Sequence, residues 1–272
     1  MIFTEPKPFE QALKLRRAKR VLPTRAGSRE LSELAPEIRE RATFSARTSN
    51  AGYLAKMDRL LTEMVSPAAG EDDEPVDPGA VRLQLREELE KIGYQPEKGK
   101  AGGLQDLGSD ARLNLIIDTN VRQAYGYGQF LQQNDPDILD AFPCLELYRL
   151  FDRKEKRPWR DRWVRAGGKL YGGRRMIARK DDPIWTRISR FGTPYPPFDF
   201  NSGMSTEEVD RQTAEDLGVI SRRDAITPQQ REFNEEVEAS FPDEISSALA
   251  QVLQDVFAVR AGKILLQPGG AS

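Results

Sequence analysis

The sequence predicts an α+β fold that is predominantly α-helical, with a small antiparallel sheet. Apolar residues recur at three- and four-residue steps in several segments of the 272-residue chain, and this is the helical period. Strand-like alternation and glycine pairs typical of hairpin turns occur only within residues 145–180. We therefore expect helices to hold most of the ordered residues, and a circular dichroism spectrum dominated by strand would contradict this.

Composition limits the chemistry that these residues can perform. Cys144 is the single cysteine, and histidine is absent. Ser-His-Asp or Cys-His catalysis, a zinc site of several Cys or His ligands and an internal disulfide cannot be assembled from this chain alone. No cofactor is expected. Because no apolar run approaches a membrane span and the first residues lack a signal-peptide core, we expect a cytoplasmic origin and no membrane partner.

The net charge of −2 hides a segregation of charge along the chain. Residues 149–180 hold thirteen Lys and Arg against three Asp and Glu, whereas residues 206–255 hold four against thirteen. Opposite charges attract, so the two regions are expected to interact within the fold or between subunits.

The central element of the prediction is a helix over residues 109–132. Its apolar residues form one stripe, and Ser109 opens it. Asn120 lies inside the stripe, so its amide is expected to be buried and bonded to a segment distant in sequence, which is favoured over a ligand site. Gly126 and Gly128 each cost about 1 kcal/mol in a helix, which indicates that another segment packs closely there or that the helix ends.

Further helices are predicted before this one, at residues 7–20, 28–41, 49–64 and 81–92. Residues 66–80 contain four consecutive acids between prolines and glycines, and such a segment cannot bury apolar surface. The predicted organisation is an N-terminal helical region (1–65), an acidic linker (66–80), a core domain (81–222) and a C-terminal helical tail (223–272).

Strand and loop signals follow the central helix. Residues 145–151 predict a strand, and residues 174–178 a return strand after the glycine pairs. The segment 191–204 is rich in proline and aromatic residues, which predicts an ordered but irregular loop held by its rings.

Helices are predicted again toward the end of the chain. Ser205 with Glu208 fits a capping box for a helix that ends at Leu217, and Thr227 opens another. The last helix is expected over about residues 243–259.

Several short motifs occur in order along the chain. They are Leu22-Pro23-Thr24, FSARTSNAGYL at 44–54, DDPIW at 181–185, Tyr195-Pro196-Pro197, and a helix reading IxDTNxRxAYxxG from Ile116 to Gly128. Over residues 5 to about 220, the chain resembles the Mu F-like minor head proteins of tailed bacteriophages, also called phage head morphogenesis proteins.

The resemblance implies a structural and assembly role near the portal of a phage head, without enzymatic activity. Portal, capsid or scaffold proteins would be the partners, in the virion interior or in the host cytoplasm during assembly. The helix motif is expected to make polar contacts with the loop at 182–201. The residues marked as structural or interaction positions are Asp118, Thr119, Asn120, Arg122, Tyr125, Asp182, Trp185, Tyr195, Pro196 and Pro197.

The chain also departs from the family pattern. The family's proline loop usually ends in closely spaced cysteines and follows a histidine-containing strand, whereas here FDFNSGM follows Pro197. No metal or disulfide role is therefore expected of this loop. The acidic segment 66–80 and the residues after 222 also lie outside the pattern.

Nucleic-acid binding is an alternative function for the basic residues 148–180. Cations neutralise phosphates and flat rings stack on bases, so the composition fits non-specific or single-stranded DNA. A solvated basic face explains the same composition and is favoured. The residues assigned to such contact are Arg153, Lys154, Arg157, Trp159, Arg160, Trp163 and Arg165.

A metal-dependent nuclease is the remaining alternative. Pro136-Asp137 and, after an apolar run, Asp152 and Lys154 match a PD…DxK arrangement, in which two carboxylates hold Mg²⁺ and the lysine steadies the attacking water. The match is loose, so we expect no hydrolysis with Mg²⁺ or Mn²⁺. Cleavage of DNA that Asp152→Ala abolishes would contradict this.

Overall fold

A computed structural model describes residues 10–66, 76–152, 156–229, 237–241 and 246–266. It is an α+β structure, 45% helix and 15% strand, which confirms the predicted fold class. The chain divides into two compact units. We call Met1–Tyr125 with Glu232–Ser272 the N-terminal unit and Gly126–Arg231 the central unit.

The N-terminal unit begins with short helices and a parallel strand pair. Its elements are α1 (Glu10–Arg17), β1 (Arg20–Val21), α2 (Ser28–Ser32), α3 (Pro36–Arg41), β2 (Ala42–Thr43), α4 (Ala51–Val65) and α5 (Pro78–Lys91). The single helix predicted over 28–41 is two helices. Pro36 disfavours helical backbone at Ala35, which is extended at ψ 142°, so the chain turns before α3 begins.

The predicted central helix is present as α6 (Asp110–Gln133). Its N-terminus is capped as expected, because the Arg112 amide donates to Ser109 Oγ at 3.1 Å. The helix does not end at its glycines. Its residues to Tyr125 belong to the N-terminal unit and those from Gly126 to the central unit.

One core of the N-terminal unit joins α4, α5 and α6. It is built from buried side chains that include Tyr53, Met57, Leu85, Leu89 and Leu113. The predicted boundary between 1–65 and 81–222 is therefore wrong, because helices on both sides of the acidic segment share this core.

A second core among the described residues of the N-terminal unit uses residues from 237 onward. Here β6 (Val237–Ser240), α11 (Ser247–Val256) and β8 (Lys263–Leu266) pack with α2 and α3, and β7 (Ala258–Arg260) pairs with β8. The strands form an antiparallel sheet in the order β6-β8-β7. The predicted helical tail 223–272 therefore needs correction, since strands flank its helix.

The hairpin between β7 and β8 explains why this sheet was not predicted. Ala261 and Gly262 form its two-residue loop with φ of +50° and +75°. A primed turn requires positive φ at both positions, and Ala-Gly is a weaker signal for it than Asn-Gly.

The central unit is a small sheet covered by short helices. Its elements are α7 (Pro136–Ala141), β3 (Cys144–Arg149), α8 (Trp159–Arg165), β4 (Met176–Arg179), α9 (Ile184–Arg187), β5 (Met204–Val209) and α10 (Arg211–Asp216). The sheet is antiparallel in the order β4-β3-β5. The predicted strand pair corresponds to β3 and β4.

The third strand corrects the helix predicted to start at Ser205. All six residues of β5 pair with β3, and Met204 and Val209 are buried. The helix begins later as α10, where Asp210 Oδ1 accepts the Thr213 amide at 2.8 Å. Pairing along a complete neighbouring strand outweighs a local capping signal, because tertiary contacts override weak propensities.

Candidate functional site

A buried arginine joins three helices and one strand of the N-terminal unit. Arg16 on α1 is fully buried and donates to Asp58 Oδ1 of α4 at 2.5 Å. It also donates to Asn120 Oδ1 of α6 at 3.2 Å, and Thr43 Oγ1 of β2 donates to the same Asp58 oxygen at 2.6 Å. The predicted long-range hydrogen bond of Asn120 is confirmed, since 104 residues separate it from Arg16, but Asn120 is only partly buried.

A second cation beside this network has a shifted pKa. Lys19 follows α1 and is partly buried. Burial, together with the charge of Arg16, lowers the pKa of Lys19 to about 7, while Glu40 and Asp58 act in the opposite direction. The folded protein therefore favours the neutral amine more than the unfolded chain does.

This shift predicts a pH dependence of stability. Between pH 7 and 9 the unfolded lysine stays protonated while the folded one loses its proton, so stability rises with pH. After allowance for partial exposure, we expect a gain of roughly 1–2 kcal/mol that Lys19→Met lacks. Urea unfolding of both proteins at pH 7 and 9 measures it. Equal pH dependence in the two proteins would contradict this origin.

The other motif residues of α6 have local or surface positions. Asp118 and Arg122 form an ion pair at 2.6 Å one helical turn apart, each side chain a third exposed. Thr119 is buried, and Tyr125 is exposed. The predicted contact of this stretch with the loop at 182–201 stays a prediction.

In the central unit, the DDPIW residues have packing roles. Asp182 Oδ1 accepts the Ile184 amide at 2.7 Å at the start of α9. Trp185 is fully buried and donates its indole N–H to the Arg179 carbonyl at 2.8 Å. Its ring lies 5.3 Å from that of Trp163. These residues are therefore part of the core.

The proline loop is held by its aromatic rings, as predicted. The rings of Phe191 and Phe200 meet edge to face at 4.8 Å. The ring of Tyr195 lies 5.8 Å from that of Tyr127 and 5.6 Å from that of Phe130, both on α6. Such pairs contribute about 0.5–1.5 kcal/mol each beyond burial, which is enough to order an irregular segment.

Gly126 provides the closest approach between α6 and this loop. A Cβ atom there would overlap the carbonyl oxygen of Pro196 and lie 3.3 Å from the Tyr195 ring. The next loop residue, Pro197, is buried. The expected close contact at Gly126 is therefore confirmed, and it explains a glycine within a helix.

The tryptophan rings of the basic residues 148–180 do not lie where stacking on bases requires them. Trp159 and Trp163 are buried in the central core with Trp185, so they are not available to bases. Arg160 and Arg165 of α8 are exposed. Arg157 is also exposed, and Arg153 and Lys154 lie outside the described residues.

A buried carboxylate near α8 collects three arginines. Asp199 Oδ2 accepts from Arg162 at 2.8 Å and forms an ion pair with Arg157 at 3.1 Å, while Arg190 lies 3.8 Å from Oδ1. We call these four residues the Asp199 cluster. Sequence reasoning missed it, because the partners lie up to 42 residues apart and no local spacing marks them.

The nuclease-like residues do not form the predicted strand arrangement. Asp137 lies in α7, before β3, and Asp152 lies beyond the end of β3, paired with Lys156 at 3.0 Å. Lys154 is outside the described residues. Among the residues that the structure describes, no three Cys, Asp or Glu side chains lie where they could hold a metal ion.

Two further polar groups of the central unit are structural. Lys180 is nearly fully buried and donates to Glu208 at 2.7 Å and to the Gln133 carbonyl at 3.2 Å. Burial raises the pKa of the Cys144 thiol to about 12. Because the thiolate is the reactive form, this thiol is inert near neutral pH.

In comparisons with known proteins, no family model, curated protein or solved structure matches the chain. In the described part of the chain, no helix is both long and apolar enough to cross a membrane.

Proposed function

We propose that the chain is a phage minor head protein, a structural and assembly component of the capsid near the portal. The main support is the ordered set of motifs between Leu22 and Pro197 that resembles the Mu F-like family. The packing role of motif residues in the central unit agrees with such a structural role. Trp185 and Tyr195 lie in the core, and the Asp182 carboxylate accepts the first amide of α9.

The packing positions of these motif residues agree with a protein that acts by contacting other proteins. Residues that perform chemistry are expected to gather at a cleft with shifted pKa values. Here the motif side chains Asp182, Trp185 and Tyr195 instead bond or pack within the central unit. A fixed shape of this kind suits docking onto larger partners, which we propose are portal, capsid or scaffold proteins.

Purified heads of the phage or prophage that encodes the chain provide the test. Mass spectrometry should find the chain in heads at a copy number well below that of the major capsid protein. Deleting its gene should lower the yield of infectious particles, and the parent sequence should restore it. Absence from heads together with normal particle yield on deletion would refute the proposal.

A variant with a conservative change in the core provides a control for the restoration of particle yield. Cys144→Ser changes a buried, inert thiol that is not itself a motif residue. It should restore particle yield as the parent does, provided that its melting temperature is preserved.

The alternative of DNA binding by base stacking loses support, because both tryptophans assigned to it are buried. Exposed cations such as Arg160 and Arg165 still suit contact with phosphates. A salt titration of binding to non-specific DNA distinguishes this alternative from a purely structural role.

A further inference from the structure

The Asp199 cluster has more positive charge than its carboxylate neutralises. Arg157 and Arg162 both meet one carboxylate oxygen, and Arg190 lies 3.8 Å from the other, so the cations of the cluster outnumber its single carboxylate. Arg157 and Arg162 both approach the same oxygen, so their Nη1 atoms lie no more than about 6 Å apart. Like charges this close repel each other, and a second anion would relieve that repulsion.

Each arginine is positioned by a second contact. Arg157 donates to the Phe200 carbonyl at 2.7 Å. The Arg162 guanidinium lies 4.7 Å from the centre of the Trp159 ring, and that of Arg190 lies 5.3 Å from the centre of the Phe200 ring. The guanidinium groups are therefore held in place before any ligand arrives, which lowers the entropic cost of binding.

The cluster also has donors to offer and access to solvent. A guanidinium has five N–H donors, and within the described residues the Arg162 side chain uses one of them in a hydrogen bond. The arginine side chains are 29–50% exposed, whereas Asp199 is only 10% exposed. The carboxylate thus lies beneath a layer of cations that faces outward.

We propose that the Asp199 cluster binds a phosphate group, with Arg157, Arg162 and Arg190 as its ligands. A tetrahedral phosphate offers several oxygens to guanidinium forks and has the charge that balances the excess of the cluster. A free phosphate and the backbone of a nucleic acid present the same phosphate oxygens to these guanidinium groups. This inference goes beyond the proposed head function and does not depend on it.

Binding to the full chain tests the proposal with two probes at constant ionic strength. Calorimetry with inorganic phosphate, using chloride as the reference anion, measures the free ligand. Fluorescence anisotropy with a labelled twelve-nucleotide oligo(dT) measures the polymer. Binding of phosphate alone assigns the site to a small ligand, and binding of both assigns it to a phosphate of either source. If neither probe binds, the proposal is overturned.

Matched substitutions separate the cluster from general electrostatic attraction. The double variant Arg157→Gln with Arg190→Gln removes two ligands and should weaken binding at least about tenfold. The control Arg165→Gln with Arg160→Gln removes the same charge from exposed positions of α8 outside the cluster, and should weaken binding less than about threefold. Equal losses in the two double variants would overturn the proposal.

A third variant keeps the test valid if the double glutamine variant fails to fold. Asp199→Asn preserves the shape and an acceptor oxygen but raises the local charge by one, so phosphate should bind more tightly than to the parent. Phosphate should also raise its melting temperature more than it raises that of the parent. Unchanged or weaker binding in Asp199→Asn would contradict the proposed site.

Discussion

Replacing Asp58 with alanine should destabilise the N-terminal unit by about 3–5 kcal/mol. The side chain of Arg16 is fully buried and that of Asp58 is only 22% exposed, so the variant leaves a guanidinium in the interior without its counter-ion. Thr43 and Arg16 both lose the Asp58 oxygen that they share. Breaking a buried pair costs far more than the pair itself contributes, because the remaining charge stays desolvated.

The ion pair between Asp118 and Arg122 provides the matched control. It has a similar length, 2.6 Å, but both side chains are a third exposed. Asp118→Ala should therefore cost less than about 1 kcal/mol, the usual range for a solvated pair. Both aspartates lie on helices of the same unit, so the comparison isolates burial.

The stability measurement for these two variants has to follow unfolding of the N-terminal unit. The three tryptophans, Trp159, Trp163 and Trp185, all belong to the central unit, so their fluorescence does not follow the N-terminal one. Hydrogen exchange of α4 and α6 peptides, with urea unfolding followed by circular dichroism, gives the required signal. A loss for Asp58→Ala no larger than for Asp118→Ala would show that Arg16 finds solvent or another partner.

A double replacement tests the same physical argument. Arg16→Met with Asp58→Leu removes both charges and keeps apolar volume, so it should recover part of the stability that Asp58→Ala loses. Full recovery is not expected, because Asn120 and Thr43 lose their partners as well.

The sequence predicted what depends on local patterns. The helix at 109–132 was correct because a long apolar period and a capping serine agree over many residues. Gly126 was correctly singled out, since a glycine inside such a helix costs stability unless something needs the space. Its partner, the Pro196 carbonyl, lies 70 positions away and could not be identified from sequence.

The predictions that the structure contradicts failed for one physical reason. Contacts between residues distant in sequence outweighed the local sequence pattern. A capping pattern at Ser205 was outweighed by pairing along β3. Trp159 and Trp163 are four residues apart, and this spacing placed both rings on one buried face of a helix that the basic composition obscured. Charge and ring content describe a segment, but only the fold decides which side chains reach solvent.

Introducing a methyl group at Gly126 is expected to destabilise the central unit by about 3 kcal/mol, the upper range for overpacking. The Cβ of Gly126→Ala would overlap the Pro196 carbonyl oxygen and lie 3.1 Å from its carbonyl carbon. These are backbone atoms, so the strain cannot be relieved by a rotamer change. The loop has to move away from α6, and Tyr195 then loses its ring contacts with Tyr127 and Phe130.

The same substitution in another helix should have nearly no effect or a favourable one. At Gly52 of α4 the nearest atom to a new Cβ is Asn50 Oδ1 at 3.4 Å, which is ordinary contact. Alanine is also the better helix former by up to about 1 kcal/mol, so Gly52→Ala should be neutral or stabilising. If Gly126→Ala lowers the free energy of unfolding and Gly52→Ala raises it, the space around each glycine, and not helix propensity, decides the effect.

Two readouts locate the damage in Gly126→Ala. Tryptophan fluorescence during urea unfolding reports the central unit, and limited proteolysis reports exposure of residues 191–204. We expect an earlier transition and faster cleavage there, because the loop is held to α6 through Tyr195 and Pro196. If the urea transition and the rate of cleavage are both unchanged, the loop can move away from α6 without loss of stability. The close contact with Pro196 would then not explain the glycine at position 126.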